Sequence, residues 1–192
     1  MFKQRVNHDI YLRMLELRDA LPLITLIGQS YAYLREWLPW LDETGTAQDA
    51  ENFIRTGLNQ YAANNGAQFG IWHHNELVGV LGLHDISWTN RSTSLGYWLG
   101  QSFQGRGIMT QSCRTLIDIL FQDYDLNRIE IQVASANRKS RAIPERLGFQ
   151  NEGYRHQAEW LYDHYVDHVI YGMLAQDWMN TSPKAPRTPC SE

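Results

Sequence analysis

The stretch Gln104-Gly105-Arg106-Gly107-Ile108-Met109-Thr110 decides the fold, because it joins a strand pattern to a helix pattern. The strand pattern before it is Ser94-Leu95-Gly96-Tyr97-Trp98-Leu99. After it, apolar side chains recur at helical spacing at Met109, Cys113, Leu116, Ile117, Leu120 and Tyr124. The free N–H groups of a helix N-terminus favour an anion, and glycines let the anion approach the main chain. The loop predicts either an anion-binding turn or a plain strand-to-helix connection, and by itself it does not separate the two.

Length and composition favour one globular domain with a sizeable core. The chain has 192 residues, of which 43% are hydrophobic, and a formal net charge of −4. The acidic balance predicts no general attraction to nucleic acid, and no apolar run is long enough to cross a membrane. We expect one domain over residues 1–180 and a disordered tail over 181–192, where Pro, Ser and Thr are concentrated.

The two cysteines and the N-terminus bear on the compartment. Cys113 lies on the apolar helix stripe and Cys190 in the polar tail, which predicts no disulfide framework and no zinc site. The first residues contain no apolar core of a signal peptide. We therefore expect a cytoplasmic protein without a bound metal.

Periodicity along the chain predicts the order strand, two helices, three strands, helix, strand, helix and two strands. The first helix is expected from residue 18 to a stop at Pro39. The second is expected over 46–64, with Thr46 as its N-cap and Asp49 returning the hydrogen bond. The strands are expected at 10–17, 68–72, 77–84, 93–99, 126–134, from 149 through the region of residue 159, and 165–176. This order indicates an α/β (α+β) fold in which helices cover both faces of a mixed sheet.

A second group of polar residues follows the strand pattern at 126–134. Asn137 suits the N-cap of a short helix, and Ser140 falls in its first turn. Pro144 cannot donate a main-chain hydrogen bond to the Ser140 carbonyl, so this carbonyl is expected to be free for water or a ligand. Taken alone, Asn137 and Ser140 are better explained as helix-capping residues than as a ligand site.

In combination, these motifs resemble a known family. Gln104-x-x-Gly107-x-Met109, Asn137-x-x-Ser140 and Leu147-Gly148-Phe149 are similar to the GCN5-related N-acetyltransferase (GNAT) superfamily. Gly96-Tyr97-Trp98-Leu99 and Gln157-Ala158-Glu159 make the resemblance closer to the Rim-type ribosomal-protein-serine N-terminal acetyltransferases. The resemblance spans roughly residues 10–178. It implies the GNAT fold, a mixed and mostly antiparallel sheet with a V-shaped splay between its central strands.

The resemblance implies acetyl-CoA as co-substrate. The implied pyrophosphate site is the main chain of Gln104, Gly105, Arg106, Gly107, Ile108, Met109 and Thr110. The pantetheine arm would run between the strand of Tyr97, Trp98 and Leu99 and the strand at 129–133, with a hydrogen bond from Asn137. Arg138, Lys139 and Arg141 suit either the 3′-phosphate of CoA or a solvated surface.

The sequence departs from the family pattern at three positions, and these departures bear on which residues would carry out the reaction. Met109 stands where the superfamily loop usually ends in Gly or Ala, so its side chain is expected in the core. Pro144 occupies the position of the Tyr acid of many members, so Ser140 would stabilise the leaving thiolate. Ser94 occupies the position of their Glu base, so the branch's candidate, Glu159, would accept the proton during direct attack by the amine. The alternative for Glu159 is an exposed strand residue.

The acceptor is left open between a protein N-terminus, ribosomal by resemblance, and a small amine such as a polyamine or an antibiotic. A non-catalytic acyl-CoA sensor is the alternative from another class. The residues expected either to line the acceptor pocket or to pack in the core are Tyr31, Tyr33, Trp37, Trp40 and Trp88. Acidic groups that a small cation would need are offered by Asp42, Glu43 and Asp85, and surface positions are expected for His73, His74, His164 and His168. Dimers are common in this branch, and the sequence itself carries no observation on assembly.

Overall fold

The computed structural model describes residues 2–181. Its strands are β1 (Lys3–Arg5), β2 (Ile10–Met14), β3 (Gly66–His73), β4 (Glu76–Ser87), β5 (Ser92–Leu99), β6 (Arg128–Ala134), β7 (Gln150–Leu161) and β8 (His164–Leu174). Its helices are α1 (Ala20–Gln29), α2 (Tyr31–Arg35), α3 (Ala47–Ala62), α4 (Ile108–Gln122), α5 (Arg138–Leu147) and α6 (Ala175–Thr181). Short 3-10 turns lie at Leu17–Asp19, Leu41–Glu43 and Gln101–Phe103.

The strands form one mixed sheet in the order β1-β2-β3-β4-β5-β6-β8-β7. All neighbouring pairs are antiparallel except β5 and β6, which run parallel from the pair Ser92–Arg128 to the pair Leu95–Ile131. Beyond that point β5 stays paired with β4 as far as Leu99, and β6 with β8 as far as Ala134. The two central strands therefore separate into the V-shaped splay that the resemblance implies.

Helices cover both faces of the sheet, as expected from the order of the elements. One core joins α4 to the sheet and includes Met109, Cys113 and Ile117, each at most 5% exposed. The other core joins α1 and α3 to the opposite face and includes Leu23 and Ile54. The predicted stripe is confirmed from Met109 to Leu120, and so is the inward direction of Met109. Tyr124, expected on the same stripe, lies beyond the end of α4 and is half-buried against the same core.

Several local predictions are confirmed by the capping geometry. Thr46 Oγ1 accepts the N–H of Asp49, and the Asp49 side chain accepts the N–H of Thr46, which is the expected capping box of α3. Gly148 ends α5 in the left-handed conformation, with φ of +83°.

The first predicted helix is wrong in its continuity. It breaks at Ser30 into α1 and α2, and α2 ends at Arg35 rather than at Pro39. The Ser30 hydroxyl accepts the main-chain N–H of Gln101 at 3.1 Å, a partner 71 residues away that no local pattern reveals. The break thus ties α1 to the segment that precedes the glycine loop.

Both ends of the chain also differ from the prediction. Strand β1 is absent from the prediction. The final strand, expected to run to residue 176, ends at Leu174 and is followed directly by α6 from Ala175. Trp178 of α6 is 1% exposed, and its indole N–H donates to Asp118 Oδ1 of α4 at 2.6 Å. This tertiary contact holds a helical turn that the sequence pattern had assigned in part to the strand. Thr181 is the last residue of α6, and the rest of the predicted tail, 182–192, lies outside the described residues.

Candidate active site

The splay between β5 and β6 opens into a cleft of about 1120 Å³. One side is formed by residues 96–99 of β5 and the other by residues 132–134 of β6. The glycine loop with the start of α4, helix α5 and the segment 33–40 add further walls, and Glu159 of β7 and His168 of β8 also line the cleft. The cleft therefore unites the two groups of motifs that are separated by about thirty residues in the sequence.

The glycine loop presents its main chain to this cleft. Gly105 and Gly107 have φ of +74° and +72°, and Gly107 is the N-cap of the 15-residue helix α4. Gln111 is the first residue of the helix whose N–H reaches back, to the Gly107 carbonyl at 3.0 Å. The preceding N–H groups of the first turn have no intrahelical acceptor, so they suit a phosphate.

Most of the predicted cofactor residues line the cleft. Those that do are Tyr97, Trp98, Leu99, Gln104, Gly105, Gly107, Ile108, Met109, Thr110, Asn137 and Ser140. Arg106 does not: its side chain is exposed and donates to the Ser102 carbonyl at 2.9 Å. The side chain of Arg106 is therefore engaged outside the cleft.

Asn137 acts as the predicted cap of α5. Its Oδ1 accepts the N–H of Ser140 at 3.0 Å, which leaves Nδ2 as the donor for a ligand. Ser140 also lines the cleft, and its main-chain N–H is already satisfied by this cap. Both residues are half-buried, so they are accessible from the cleft.

The expectation of a free Ser140 carbonyl is wrong. The Tyr97 hydroxyl donates to it at 3.0 Å and replaces the N–H that Pro144 lacks. Burial raises the pKa of Tyr97 well above its ordinary value, so the hydroxyl keeps its proton and remains a donor. Tyr97 thus ties the β5 side of the splay to α5.

Glu159 lies in the cleft, and His168 lies beside it. His168 Nε2 is 3.2 Å from Glu159 Oε2, and their side chains are 15% and 32% exposed. The expectation that His168 is a surface residue is therefore wrong. In the register of β8 it faces Ala134 of β6 on one side and Arg155 of β7 on the other. Only this strand pairing, which the sequence did not give, could have placed it at the site.

The aromatic residues expected at the acceptor pocket divide into two groups. Tyr33, Trp37 and Trp40 line the cleft. Tyr31 instead donates to Asp42 at 2.6 Å, and Trp88 donates to the Asn64 carbonyl at 2.7 Å. The expectation is thus wrong for Tyr31 and Trp88, because both are exposed side chains engaged elsewhere on the surface.

Acidic groups are scarce in the cleft. Asp42 pairs with Arg35, and neither Glu43 nor Asp85 lines the cavity. Among the lining residues Glu159 is the one carboxylate. Within the part of the chain that the structure describes, no group of three His, Cys, Asp or Glu side chains is arranged to hold a metal ion. The buried thiol of Cys113 has a pKa raised by desolvation, which keeps it protonated and unsuited to nucleophilic attack.

Two cations of α5 face the cleft. Lys139 lines it and donates to Gln104 Oε1 at 3.3 Å, and Arg146, which was not predicted, lines it seven residues later on the same helical face. Arg141 instead donates to the Tyr171 hydroxyl and the Ser135 carbonyl, and Arg138 is exposed outside the cleft. Of the three cations expected to meet either the 3′-phosphate of CoA or solvent, Lys139 alone lines the cavity.

A hydrogen bond joins the hairpin of β7 and β8 to the segment 33–40, which lines the cleft. The Tyr162 hydroxyl, in the turn between β7 and β8, donates to the Leu38 carbonyl at 2.6 Å. The Arg35 guanidinium lies over the Tyr162 ring at 4.0 Å and also binds Asp42 in a bidentate pair. We call Arg35, Leu38, Asp42 and Tyr162 the bridge. The bridge connects the segment that carries Trp37 and Trp40 to the hairpin that carries Glu159.

No helix within residues 2–181 is long and apolar enough to cross a membrane.

The chain is similar to known acetyltransferases over nearly its whole length. Residues 9–150 match the family model described as an acetyltransferase (GNAT) domain. The chain is 37% identical to "Putative ribosomal N-acetyltransferase YdaF" of Bacillus subtilis (strain 168), covering 93% of this chain and 98% of that protein. It is 29% identical to the ribosomal-protein-serine acetyltransferase of Escherichia coli (strain K12), covering 88% and 95%. The solved structure of RimL, a ribosomal alpha-N-protein acetyltransferase in complex with coenzyme A, matches with a TM-score of 0.88 at 27% identity, covering 92% and 99%.

Proposed function

Because this chain belongs to the GNAT acetyltransferase family and uses acetyl-CoA as co-substrate, we propose that it acetylates the N-terminal α-amine of a ribosomal protein. The observation that carries the choice of acceptor is the single carboxylate, Glu159, in a cleft lined by Trp37 and Trp40. One carboxylate suits one ammonium on an otherwise neutral chain. A polyamine carries several positive charges and would meet Lys139 and Arg146 in the same cavity. The proposal places the enzyme in the cytoplasm, where ribosomal proteins are made.

The proposed reaction converts an ammonium and a thioester into an amide and a thiol, and it releases one proton. The acceptor ammonium gives a proton to the Glu159 carboxylate, and the free amine attacks the thioester carbonyl. The C–N bond forms and the C–S bond breaks, the thiolate takes a proton, and the amide nitrogen loses its second proton. The Ser140 hydroxyl stabilises the departing thiolate, and a main-chain N–H near Leu99 stabilises the oxyanion. The buried, protonated thiol of Cys113 supports direct transfer without an acyl-enzyme.

Free-thiol release from acetyl-CoA, measured with a panel of acceptors, tests the proposed acceptor. The panel contains peptides that begin with Ser, Ala or Met, together with spermidine and an aminoglycoside. We expect the largest kcat/KM for an N-terminal peptide, with Ser first. A larger kcat/KM for spermidine or the aminoglycoside contradicts the proposed acceptor while leaving the acetyl transfer in place.

Variants of Ser140 and Glu159 test the proposed roles. Ser140→Ala should lower kcat by about tenfold while CoA binding is retained, and Glu159→Gln should lower kcat by about a hundredfold and flatten the rise of rate with pH. Ser94→Ala is the matched control, because Ser94 does not line the cleft. Unchanged kcat in Ser140→Ala would reduce Ser140 to a capping residue, and an unaltered pH profile in Glu159→Gln would exclude it as the base.

A further inference from the structure

We propose that His168 is a positioning residue that holds the carboxylate of Glu159 toward the acceptor. The inference rests on the proposed role of Glu159 as base. An ionised carboxylate only accepts hydrogen bonds, so at 3.2 Å the hydrogen between Glu159 Oε2 and His168 Nε2 belongs to the imidazole. The pair joins two neighbouring strands, because Glu159 is on β7 and His168 on β8.

The backbone at this point explains why Glu159 needs a partner. Strand β7 is the edge of the sheet, and its register with β8 shifts between Arg155 and Glu159. Within this bulge Gln157 adopts a left-handed φ of +49°, and its N–H donates to Asp167 Oδ1 at 2.8 Å. A bulge at an edge redirects side chains but removes ladder hydrogen bonds. His168 lies on the inner strand, so it can fix a carboxylate whose own strand is locally irregular.

Few charged side chains surround the pair of Glu159 and His168. On β7 the charged side chains near His168 are Glu159 and Arg155, and Arg155 Nη1 is engaged by Gln132 Oε1 at 3.2 Å. Strand β6 presents the neutral side chains of Ala134 and Gln132 on this face. On the far side of the cleft the charged residues are Lys139 and Arg146 of α5. His168 is therefore the group in hydrogen-bonding contact with the Glu159 carboxylate within the described part of the chain.

The orientation that His168 gives to the Glu159 carboxylate matters for the reaction. General-base catalysis is fast when the base is held within hydrogen-bonding reach of the proton that it accepts. A freely rotating carboxylate spends less time in that position, so the rate falls. With Nε2 facing Glu159, the hydrogen bond selects one orientation of the carboxylate. The side chain of His168 is 15% exposed and that of Glu159 is 32% exposed, so the imidazole is the more buried partner and the carboxylate faces the cleft.

A series of His168 variants tests the inference. His168→Leu removes the donor, and His168→Gln retains an N–H of similar reach. His164→Leu is the matched control, because His164 is on the same strand, its side chain is 60% exposed and it contacts Asp163 instead of the cleft. All are assayed with the amine that the wild-type enzyme acetylates fastest, so a small-amine acceptor would overturn the proposed function and leave this comparison intact.

We expect His168→Leu to lower kcat on the order of tenfold, with the KM for acetyl-CoA unchanged, and His168→Gln to restore most of the loss. The decisive readout is the double variant. If His168 acts through Glu159, adding His168→Leu to Glu159→Gln should cause no further loss of kcat. Wild-type kcat in His168→Leu, equal losses in the Leu and Gln variants, or multiplied losses in the double variant would each overturn the inference.

Discussion

The Tyr97 hydroxyl donates a hydrogen bond to the main-chain carbonyl of Ser140 at 3.0 Å. Tyr97 is on β5 and Ser140 is in the first turn of α5, on opposite sides of the splay. The acceptor is available because Pro144, four residues later, has no N–H to give. The bond therefore connects the strand and the helix that enclose the cleft.

Tyr97→Phe should destabilise the fold, because it leaves the Ser140 carbonyl without a donor. Because the half-buried carbonyl can still meet water from the cleft, the lost hydrogen bond should cost about 0.5–1.5 kcal/mol, which chemical denaturation would detect. Pro144→Ala is the matched background, since alanine restores an N–H at the position that can reach Ser140. In Pro144→Ala the effect of Tyr97→Phe should fall to less than half. Equal effects in both backgrounds would show that the hydroxyl does not substitute for the missing N–H.

Gly107→Glu should abolish CoA binding, because a side chain and a negative charge would enter the proposed phosphate site. Gly107→Ala separates the two effects: its φ of +72° costs an L-residue about 1–2 kcal/mol, and its Cβ would lie 3.4 Å from Gln111 Nε2. Gly28→Glu makes the same charge change on α1, where nothing lies within 4 Å. Calorimetric titration with CoA gives the result, and unchanged affinity in Gly107→Glu would exclude the loop as the phosphate site.

Tyr162→Phe should raise the KM for the acceptor several-fold and leave the KM for acetyl-CoA unchanged. The substitution removes the hydrogen bond to the Leu38 carbonyl while keeping the ring beneath Arg35. A neutral hydrogen bond contributes about 0.5–1.5 kcal/mol, which sets the size of the effect. Tyr165→Phe is the control, because Tyr165 is 57% exposed on the same hairpin. An equal rise in the KM for both substrates would mean that the bridge supports the whole cleft.

Glu152→Gln should lower stability at neutral pH and lose this effect in acid. The Arg128 guanidinium beside Glu152 lowers the pKa of that carboxyl below its ordinary value of 4.5. A lowered pKa contributes stability above pH 4.5, and the contribution disappears as the pH falls through the value of the folded state.

The two side chains of this pair are 27% and 38% exposed, so screening keeps the contribution to about 1 kcal/mol or less. The unfolding temperatures of wild type and Glu152→Gln should therefore converge below pH 4.5. Glu51→Gln, which breaks a looser pair of 3.9 Å with Arg55, should show a smaller gap at neutral pH. A gap that persists unchanged in acid would contradict the ion pair as its cause.

The elements that sequence predicted well are those whose causes are local. The stripe of α4, the capping box of Thr46 and Asp49, and the glycine that ends α5 each depend on residues within a few positions of one another. The break at Ser30 and helix α6 were missed because Gln101 and Asp118, the partners that fix them, are 71 and 60 residues away. Propensity cannot register contacts at that separation.

The candidate site divides in the same way. The sequence by itself determined the glycine loop and the cap at Asn137 with Ser140 beside it, because these are properties of residue types at short spacing. Glu159 was singled out by the family resemblance and not by its spacing. The tertiary structure alone decided three hydrogen bonds: that of the Tyr97 hydroxyl to the Ser140 carbonyl, that between His168 and Glu159, and that of the Tyr162 hydroxyl to the Leu38 carbonyl. The physical reason is strand pairing and its splay: side chains from distant strands meet only after register is set, and register is a property of the whole sheet.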